Sequence, residues 1–152
     1  MQISEIRQLI ETIADPEIPV LNLGDLGIIR DICRTDDVIK VTISPTYTGC
    51  PATKFIETMI ADKLTEMGID KFQLVQKITP PWSSDWISEE GRKKLLAYGI
   101  APPNPIAKGS PKSCPQCHST ELTRLSEFGS TPCQALWKCM DCLEIFSYFK
   151  CI

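Results

Sequence analysis

The chain has 152 residues, of which 43% are hydrophobic and 7% aromatic, and its formal net charge is -3. This composition predicts one buried core with a small second unit and excludes a disordered chain. The negative charge gives no electrostatic case for nucleic acid, and no apolar run approaches the roughly 20 residues that span a bilayer. The first residues carry no charged or apolar leader, so we expect a cytoplasmic protein that binds neither nucleic acid nor membrane.

The first predicted element is a helix that Ser4 caps. Its apolar face comprises Ile6, Leu9, Ile10 and Ile13. The helix should end before Pro16, because proline disfavours helix in the residue that precedes it. The connector Asp15–Pro19 follows, and its acids allow two interpretations. Asp15 and Glu17 are either turn and capping groups beside prolines or members of a reactive site.

Two strands and a tight turn predict an antiparallel hairpin. A loop over residues 21–27 contains two glycines and leads into a strand from about residue 28 to 33. Asp36 and Asp37 supply the turn, and residues 38–43 alternate in the strand manner. The apolar face of this second strand comprises Ile39, Val41 and Ile43. Cys33, in or near the first strand, is interpreted as core packing.

Residues 44–53 join the second strand to a long amphipathic helix. The predicted buried stripe of that helix comprises Ala52, Phe55, Ile56, Met59, Ile60, Leu64 and Met67. Gly68 follows as its C-terminal cap, and Pro51 suits its first turn. Cys50 therefore lies at a helix N-terminus, where free N–H groups and the helix dipole lower the pKa of a thiol. The alternative is a small, inert buried residue in a tight turn.

The rest of the first domain completes a small mixed sheet with helices packed on it. Residues 72–78 predict a strand parallel to the second, because strand–helix–strand units cross over right-handedly. The segment Thr79–Trp86 pairs two prolines with two tryptophans. It either covers the open face of the sheet as a lid, or frames the Cys50 loop or receives a partner's side chain. Ser88 caps a last helix that Gly99 ends. The predicted fold is α+β, in the order α-β-β-α-β-α.

Composition changes sharply after residue 100. Residues 101–113 contain four prolines and few apolar side chains, which is typical of a semi-rigid linker. We therefore predict an α+β domain over residues 1–100, a linker over 101–113 and a small β domain over 114–152.

Six of the eight cysteines lie between residue 114 and the end of the sequence. Four form two Cys-x-x-Cys pairs separated by 21 residues, a spacing that predicts a metal site. These are Cys114, Cys117, Cys139 and Cys142. Four thiolates close a tetrahedral shell, which is typical of a structural zinc ion, although thiolates also hold iron. Strand-like runs over residues 122–125, 135–138 and 145–150 predict a zinc ribbon around this site.

Three further groups lie near the predicted ligands. His118 follows one pair directly and is interpreted as a surface neighbour, since four cysteines already suffice. Cys133 and Cys151 remain as a possible second thiol pair, as exchangeable ligands or as packed thiols. The segment 101–152 carries five Lys or Arg against four Asp or Glu, so a protein partner suits the ribbon better than nucleic acid.

Several motifs together resemble a known family. Asp15–Pro19, the loop Leu23–Ile29 and Thr46–Pro51 resemble the metal–sulfur cluster assembly domain family, to which SufT and the cytosolic iron–sulfur targeting factors belong. Joined to Thr79–Trp82 and to a terminal zinc ribbon ending Phe149–Ile152, they resemble the PaaD family of the bacterial phenylacetate degradation pathway. The likeness covers nearly the whole chain.

The resemblance implies an accessory protein of the phenylacetyl-CoA 1,2-epoxidase system. The sequence has no flavin fingerprint, no Glu-x-x-His di-iron pattern and no recognisable CoA site, so it should not perform the oxygenation itself. The family implies that one cysteine assists the assembly or repair of an iron–sulfur or iron centre. The residues that match are Cys50 as ligand, with Asp15, Glu17, Thr48 and Gly49 in support.

The resemblance also implies partners. The oxygenase or reductase subunits of the epoxidase would be the clients, and the ribbon would dock them. One cysteine cannot enclose a cluster, so a homodimer, a glutathione-like thiol, the nearby acids, or Cys133 and Cys151 would complete the ligand shell. Two other functions stay open, namely a structural or docking subunit that needs no reactive Cys50 and a thiol redox factor that uses Cys133 and Cys151.

Overall fold

The computed structural model of the protein describes residues 2–45, 52–104, 109–129 and 134–150. Its contacts divide the chain into two compact units, Met1–Ser88 and Glu89–Ile152. The chain combines helices with two small sheets, which confirms the predicted α+β class. Among the helices of the described ranges, none is long and apolar enough to cross a membrane.

Two helices begin the first unit. Helix α1 (Ile3–Glu11) buries Ile6 and Ile10 completely, whereas Leu9, which was predicted on the buried face, is exposed. The predicted cap at Ser4 is wrong, because the N-cap is Gln2, whose N–H donates to the carboxylate of Glu5 at 2.8 Å.

Helix α2 (Leu23–Leu26) has one turn and lies where the sequence predicted only a loop. Its N-terminal end is closed reciprocally, because the Asn22 side chain accepts from the Asp25 N–H at 2.7 Å and the Asp25 carboxylate accepts from the Asn22 N–H at 3.0 Å. Gly27 ends the helix with a φ of +70°, in the left-handed region. The caps at both ends stabilise a single helical turn, which the helix propensities of its residues alone would not predict.

The predicted hairpin is confirmed. Strands β1 (Ile29–Thr35) and β2 (Val38–Ile43) are antiparallel and joined by Asp36 and Asp37 alone. Both aspartates have positive φ, which is the geometry of a two-residue type I′ turn and which aspartate tolerates better than most residues. The alternation predicted for β2 is also present, with Ile39, Val41 and Ile43 buried.

Helix α3 (Ala52–Glu66) and strand β3 (Phe72–Gln76) complete the first sheet, whose order is β1-β2-β3. Strand β3 is parallel to β2, as predicted. Helix α3 buries Ile56, Ile60 and Leu64, but Phe55 is 60% exposed although the periodicity assigned it to the buried stripe. The buried face of the helix is rotated around its axis relative to the predicted stripe, so that Thr53 is buried and Phe55 is not.

The segment with two tryptophans packs within the first unit and includes a short 3-10 helix, Ser84–Trp86. Trp82 is 3% exposed, and its Nε1–H donates to the Leu26 carbonyl at 2.8 Å. The Trp86 ring carries the Arg30 guanidinium 3.9 Å from its centroid, a cation–π contact. A Cβ at Gly27 would lie 2.9 Å from the Trp86 carbonyl oxygen, so this approach requires glycine. These contacts favour the lid interpretation.

In its described residues, the second unit is a four-stranded sheet with one helix. Helix α4 (Glu89–Ala97) precedes strands β4 (Ile100–Ala101), β5 (Leu122–Ser126), β6 (Gln134–Cys139) and β7 (Ile145–Phe149). The sheet order is β4-β7-β6-β5, in which only the β4–β7 pair is parallel. Its core includes Trp137 and Tyr148, whose rings meet edge-on at 6.2 Å between centroids. The three strands predicted for the ribbon are confirmed.

The segment 101–113, for which composition predicts a linker, contributes to this second unit. Ala101 lies in β4, and the Pro103 carbonyl accepts from the Arg92 guanidinium at 2.9 Å. The Asn104 N–H donates to the Tyr148 hydroxyl at 3.4 Å. Prolines lack the amide that would need a partner, so a proline-rich segment can be buried in extended form. By contacts the chain divides after Ser88, earlier than the predicted boundary at residue 100.

Candidate metal centre

The structure brings the four predicted ligand cysteines together. The sulfurs of Cys114, Cys117, Cys139 and Cys142 all lie within 4.8 Å of one another. The Cys114 and Cys142 sulfurs are 3.7 Å apart, and those of Cys117 and Cys139 are 3.5 Å apart. The pairs of close sulfurs therefore connect the two Cys-x-x-Cys turns.

The two turns have the same backbone design, and we name them the first knuckle (residues 114–119) and the second knuckle (residues 139–144). In each knuckle, the N–H of the first cysteine donates to the carbonyl five residues later, at 2.8 Å for Cys114 and 2.9 Å for Cys139. The residue after the second cysteine has a left-handed φ in both, +63° at His118 and +65° at Leu143.

Backbone amides support the thiols directly. The Gln116 N–H lies 3.4 Å from the Cys114 sulfur, and the Cys142 N–H lies 3.5 Å from the Cys139 sulfur. Donors of this kind stabilise a thiolate, and the bond from Cys142 is the main reason that the pKa of Cys139 is lowered to about 6. A backbone hydrogen bond at Glu144 lowers the pKa of Cys142, but burial and the neighbouring thiols outweigh it and raise that pKa to about 12. The four thiols therefore ionise unequally, and a metal ion bound here would displace protons from them.

The sulfur positions fit a tetrahedral ion. Metal–sulfur bonds of about 2.3 Å at tetrahedral angles place thiolates about 3.8 Å apart, close to the sulfur–sulfur distances of the cluster. Cys114 and Cys139 are fully buried and belong to the hydrophobic core of the unit, whereas Cys117 and Cys142 are exposed. An ion held here would join the core of the sheet to the surface of both knuckles.

His118 and Cys33 lie outside this cluster. The side chain of His118 is exposed, and the group of possible ligands within the described residues contains only the four cysteines. Cys33 lies in β1 of the first unit and is half-buried. It offers a matched control cysteine for any substitution in the cluster.

Asp15 is built into the connector between α1 and α2. Its carboxylate accepts from the N–H groups of Glu17 at 3.0 Å and Ile18 at 2.7 Å, and its side chain is 7% exposed. Burial raises the pKa of the Asp15 carboxyl, while the two amide donors act in the opposite direction. Glu17 is half-buried. This geometry supports the turn interpretation of Asp15.

Asp15→Ala should lower the free energy of unfolding by about 1–2 kcal/mol, because two amides lose their acceptor. Asp15→Asn keeps an acceptor oxygen and should lose much less. Because the pKa of Asp15 is raised in the folded state, the folded protein binds this proton more tightly than the unfolded chain does. The stability that the bound proton contributes is lost as pH rises above the usual carboxyl range. The free energy of unfolding of Asp15→Asn should therefore rise relative to that of the wild type as pH rises above about 4. Urea unfolding of all three proteins tests this, and equal losses in Ala and Asn would contradict it.

The remaining predicted site residues lie outside the described residues. These are Thr48, Gly49 and Cys50 in the segment between β2 and α3, together with Cys133 and Cys151. The described residues that flank that segment are Pro45 and Ala52. The left-handed position of Leu143 was missed in the sequence, although its place directly after a Cys-x-x-Cys turn matches that of His118.

Family models match both units. The model of the iron–sulfur cluster assembly protein family matches residues 3–71, and that of the PaaD zinc beta ribbon domain matches residues 103–150. A solved structure from Bacillus anthracis, described as a domain of unknown function DUF59, matches with a TM-score of 0.56 and 21% identity over 60% of this chain and 89% of its own. That likeness shows the fold of the first unit.

Two relatives match in sequence. A Porphyromonas gingivalis protein named "Fe-S protein maturation auxiliary factor" is 33% identical over 60% of this chain and 88% of its own length. An Escherichia coli K12 protein, named as one of the subunits of a "Putative 1,2-phenylacetyl-CoA epoxidase", is 42% identical over 99% of this chain and 94% of its own length. With the four-cysteine ribbon following the cluster-assembly domain over the same full length, the chain belongs to the PaaD family.

Proposed function

We propose that this chain is a non-catalytic accessory protein that assists the assembly of an iron–sulfur or iron centre for the phenylacetyl-CoA epoxidase system. The main support is the match of residues 3–71 to the iron–sulfur cluster assembly protein family. The chain that contains this match is similar over 99% of its length to the Escherichia coli epoxidase subunit. The maturation factor among its relatives supports the same role. The oxygenase or reductase subunits of the epoxidase are the proposed clients.

Cys50 is the proposed ligand for the transferred iron. It precedes α3 by two positions, and the first turn of a helix presents free N–H groups and the positive end of its dipole. That turn contains no acid and includes Lys54, so its own charges favour a thiolate. A second copy of the chain or groups of the client would supply the other ligands, since one thiolate cannot hold a cluster alone.

The four-cysteine centre has a different proposed role, the binding of a structural zinc ion. Four thiolates complete the shell of zinc and leave no position for substrate or water, which is the pattern of structural sites. Such an ion supplies stability and not transfer chemistry. The match of residues 103–150 to a zinc beta ribbon family supports zinc over iron.

Metal and sulfide analysis separates these two roles. The wild type, Cys50→Ser and Cys33→Ser should be purified without oxygen, reconstituted with iron and sulfide, and analysed for iron, acid-labile sulfide and zinc. We expect iron and sulfide to be lost only in Cys50→Ser and zinc to be equal in all three. Cys33 is a suitable control, because it is a free cysteine outside the metal cluster.

Transfer to a client completes the test. The loaded wild type should restore iron and sulfide to metal-free epoxidase reductase or oxygenase, and the Cys50→Ser protein should not. A wild type that retains zinc but never takes up iron, with Cys50→Ser unchanged, would reject the assembly role. The chain would then be a docking subunit of the complex.

A further inference from the structure

The two knuckles share one backbone design but carry different side chains. The first knuckle presents Gln116 and His118, which are polar and exposed. At the second knuckle every residue from 140 to 145 is exposed, and three of the six are large and apolar. They are Met140 at 52% exposure, Leu143 at 60% and Ile145 at 56%, and we name them the knuckle patch.

Leu143 has a backbone conformation that is unfavourable for leucine. Its φ of +65° lies in the left-handed region, which glycine and asparagine tolerate and which is an outlier for a bulky residue. Its side chain is 60% exposed, so core packing does not offset the strain. The conformation belongs to the knuckle design, since His118 shares it, but leucine is not a residue type that this conformation favours. Strain of this kind is typical of functional positions.

The charges around the knuckle patch are negative. Asp141 and Glu144 lie within the exposed run, and the Met140 N–H donates to the Glu121 carbonyl at 2.8 Å, which places a third acid beside the knuckle. A cation, Lys138, pairs with Ile145 in the register of β6 and β7.

We propose that the knuckle patch is a docking surface for a protein client that presents an apolar side chain among lysines or arginines. Apolar area supplies the affinity, and the exposed acids select a basic partner. This inference rests on the proposed function, in which the client is the oxygenase or the reductase of the epoxidase. It assigns the contact to the second knuckle and leaves the first knuckle free.

The decisive variant is Leu143→Asn in the full chain. Asparagine tolerates a left-handed φ better than leucine, so the variant should fold as well as the wild type while losing the apolar side chain. Binding to immobilised, purified epoxidase oxygenase and reductase should weaken about tenfold or more for the client that the wild type binds. Glu144→Lys should weaken the same binding and reduce its dependence on salt.

The matched control is Leu125→Asn, the same exchange at a leucine that is 50% exposed in the same unit. Leu125 lies toward the end of β5 away from Leu122, whose register partner is the ligand Cys139. The affinity of the Leu125→Asn protein for the client should stay within about twofold of that of the wild type. Wild-type affinity in Leu143→Asn, or a wild type that binds neither client, would overturn the docking surface.

Cys50→Ser keeps the two proposals distinct. It should bind the client with wild-type affinity because it leaves the knuckle patch unchanged. Iron transfer by a Leu143→Asn protein of unchanged client affinity would reject docking and leave the assembly role intact. Normal docking by a wild type that never takes up iron would reject the assembly role alone.

Discussion

Cys114→Ser should abolish metal binding and unfold the sheet of residues 89–152 in the full chain. Cys114 and Cys139 are fully buried members of the core cluster, so their loss removes a metal ligand and a packed side chain at once. Binding of a structural zinc ion by four thiolates is worth about 10–16 kcal/mol in small zinc domains, well above what a core of this size supplies. Removal of the metal with a strong chelator should have the same effect on the wild type.

Two measurements test this outcome, the metal content of the protein and the NMR resonances of the Trp137 ring. The Trp137 and Tyr148 rings meet only when β6 and β7 are paired, so their resonances report the folded sheet. Cys117→Ser should bind metal more weakly but disturb the sheet less, because Cys117 is exposed and lies outside the core. Cys33→Ser should retain both the metal and the sheet.

A Cys114→Ser protein that keeps a native Trp137 environment after losing its metal would contradict this prediction. The core of the second unit would then fold without an ion, and the cluster would have a role other than stability. A Cys114→Ser protein with normal metal content would contradict the ligand assignment instead.

Local patterns predicted those elements whose residues fix their own geometry. Residues 38–43 alternate strictly and form β2 with the predicted bounds, and two aspartates between strands gave the correct turn. The Cys-x-x-Cys spacing likewise predicted which sulfurs meet, because a tight turn leaves each pair little freedom. In each of these cases the signal and its consequence lie within a few residues.

Elements held by distant or reciprocal contacts were missed. Helix α2 depends on an exchange of hydrogen bonds between Asn22 and Asp25 and on the close approach of Gly27 to Trp86. Strand β4 has two residues and exists because β7 lies beside it. The proline-rich composition after residue 100 conceals this pairing, since the same residues suit a linker and a buried extended segment.

The candidate site divides in the same way. Spacing predicts the four ligands but not that Cys114 and Cys139 are buried while Cys117 and Cys142 are exposed, which depends on how the knuckles meet the sheet. Motif and charge left the role of Asp15 open until its two amide donors were located. The strained backbone of Leu143 has no signal in residue type, because leucine does not favour that geometry.

Trp82→Ala should be among the most destabilising single substitutions in the first unit. Trp82 is 3% exposed, and truncating a buried aromatic side chain of this size costs about 3–5 kcal/mol. The Leu26 carbonyl, which accepts from the Trp82 Nε1–H at 2.8 Å, would also lose its partner at the end of α2. Such a loss is a large fraction of the roughly 5–15 kcal/mol that stabilises a typical domain.

Two matched variants separate packing from hydrogen bonding. Trp82→Phe keeps most of the apolar area and should cost about 1–2 kcal/mol for the lost bond to Leu26. Trp86→Ala removes a half-exposed ring and its contact with Arg30, so it should cost less than Trp82→Ala. Denaturant unfolding, with amide exchange at Gly27, gives the order of the three. Equal losses at the two tryptophans would contradict the prediction, because the contact of Trp86 with Arg30 would then stabilise the segment as much as buried Trp82 does.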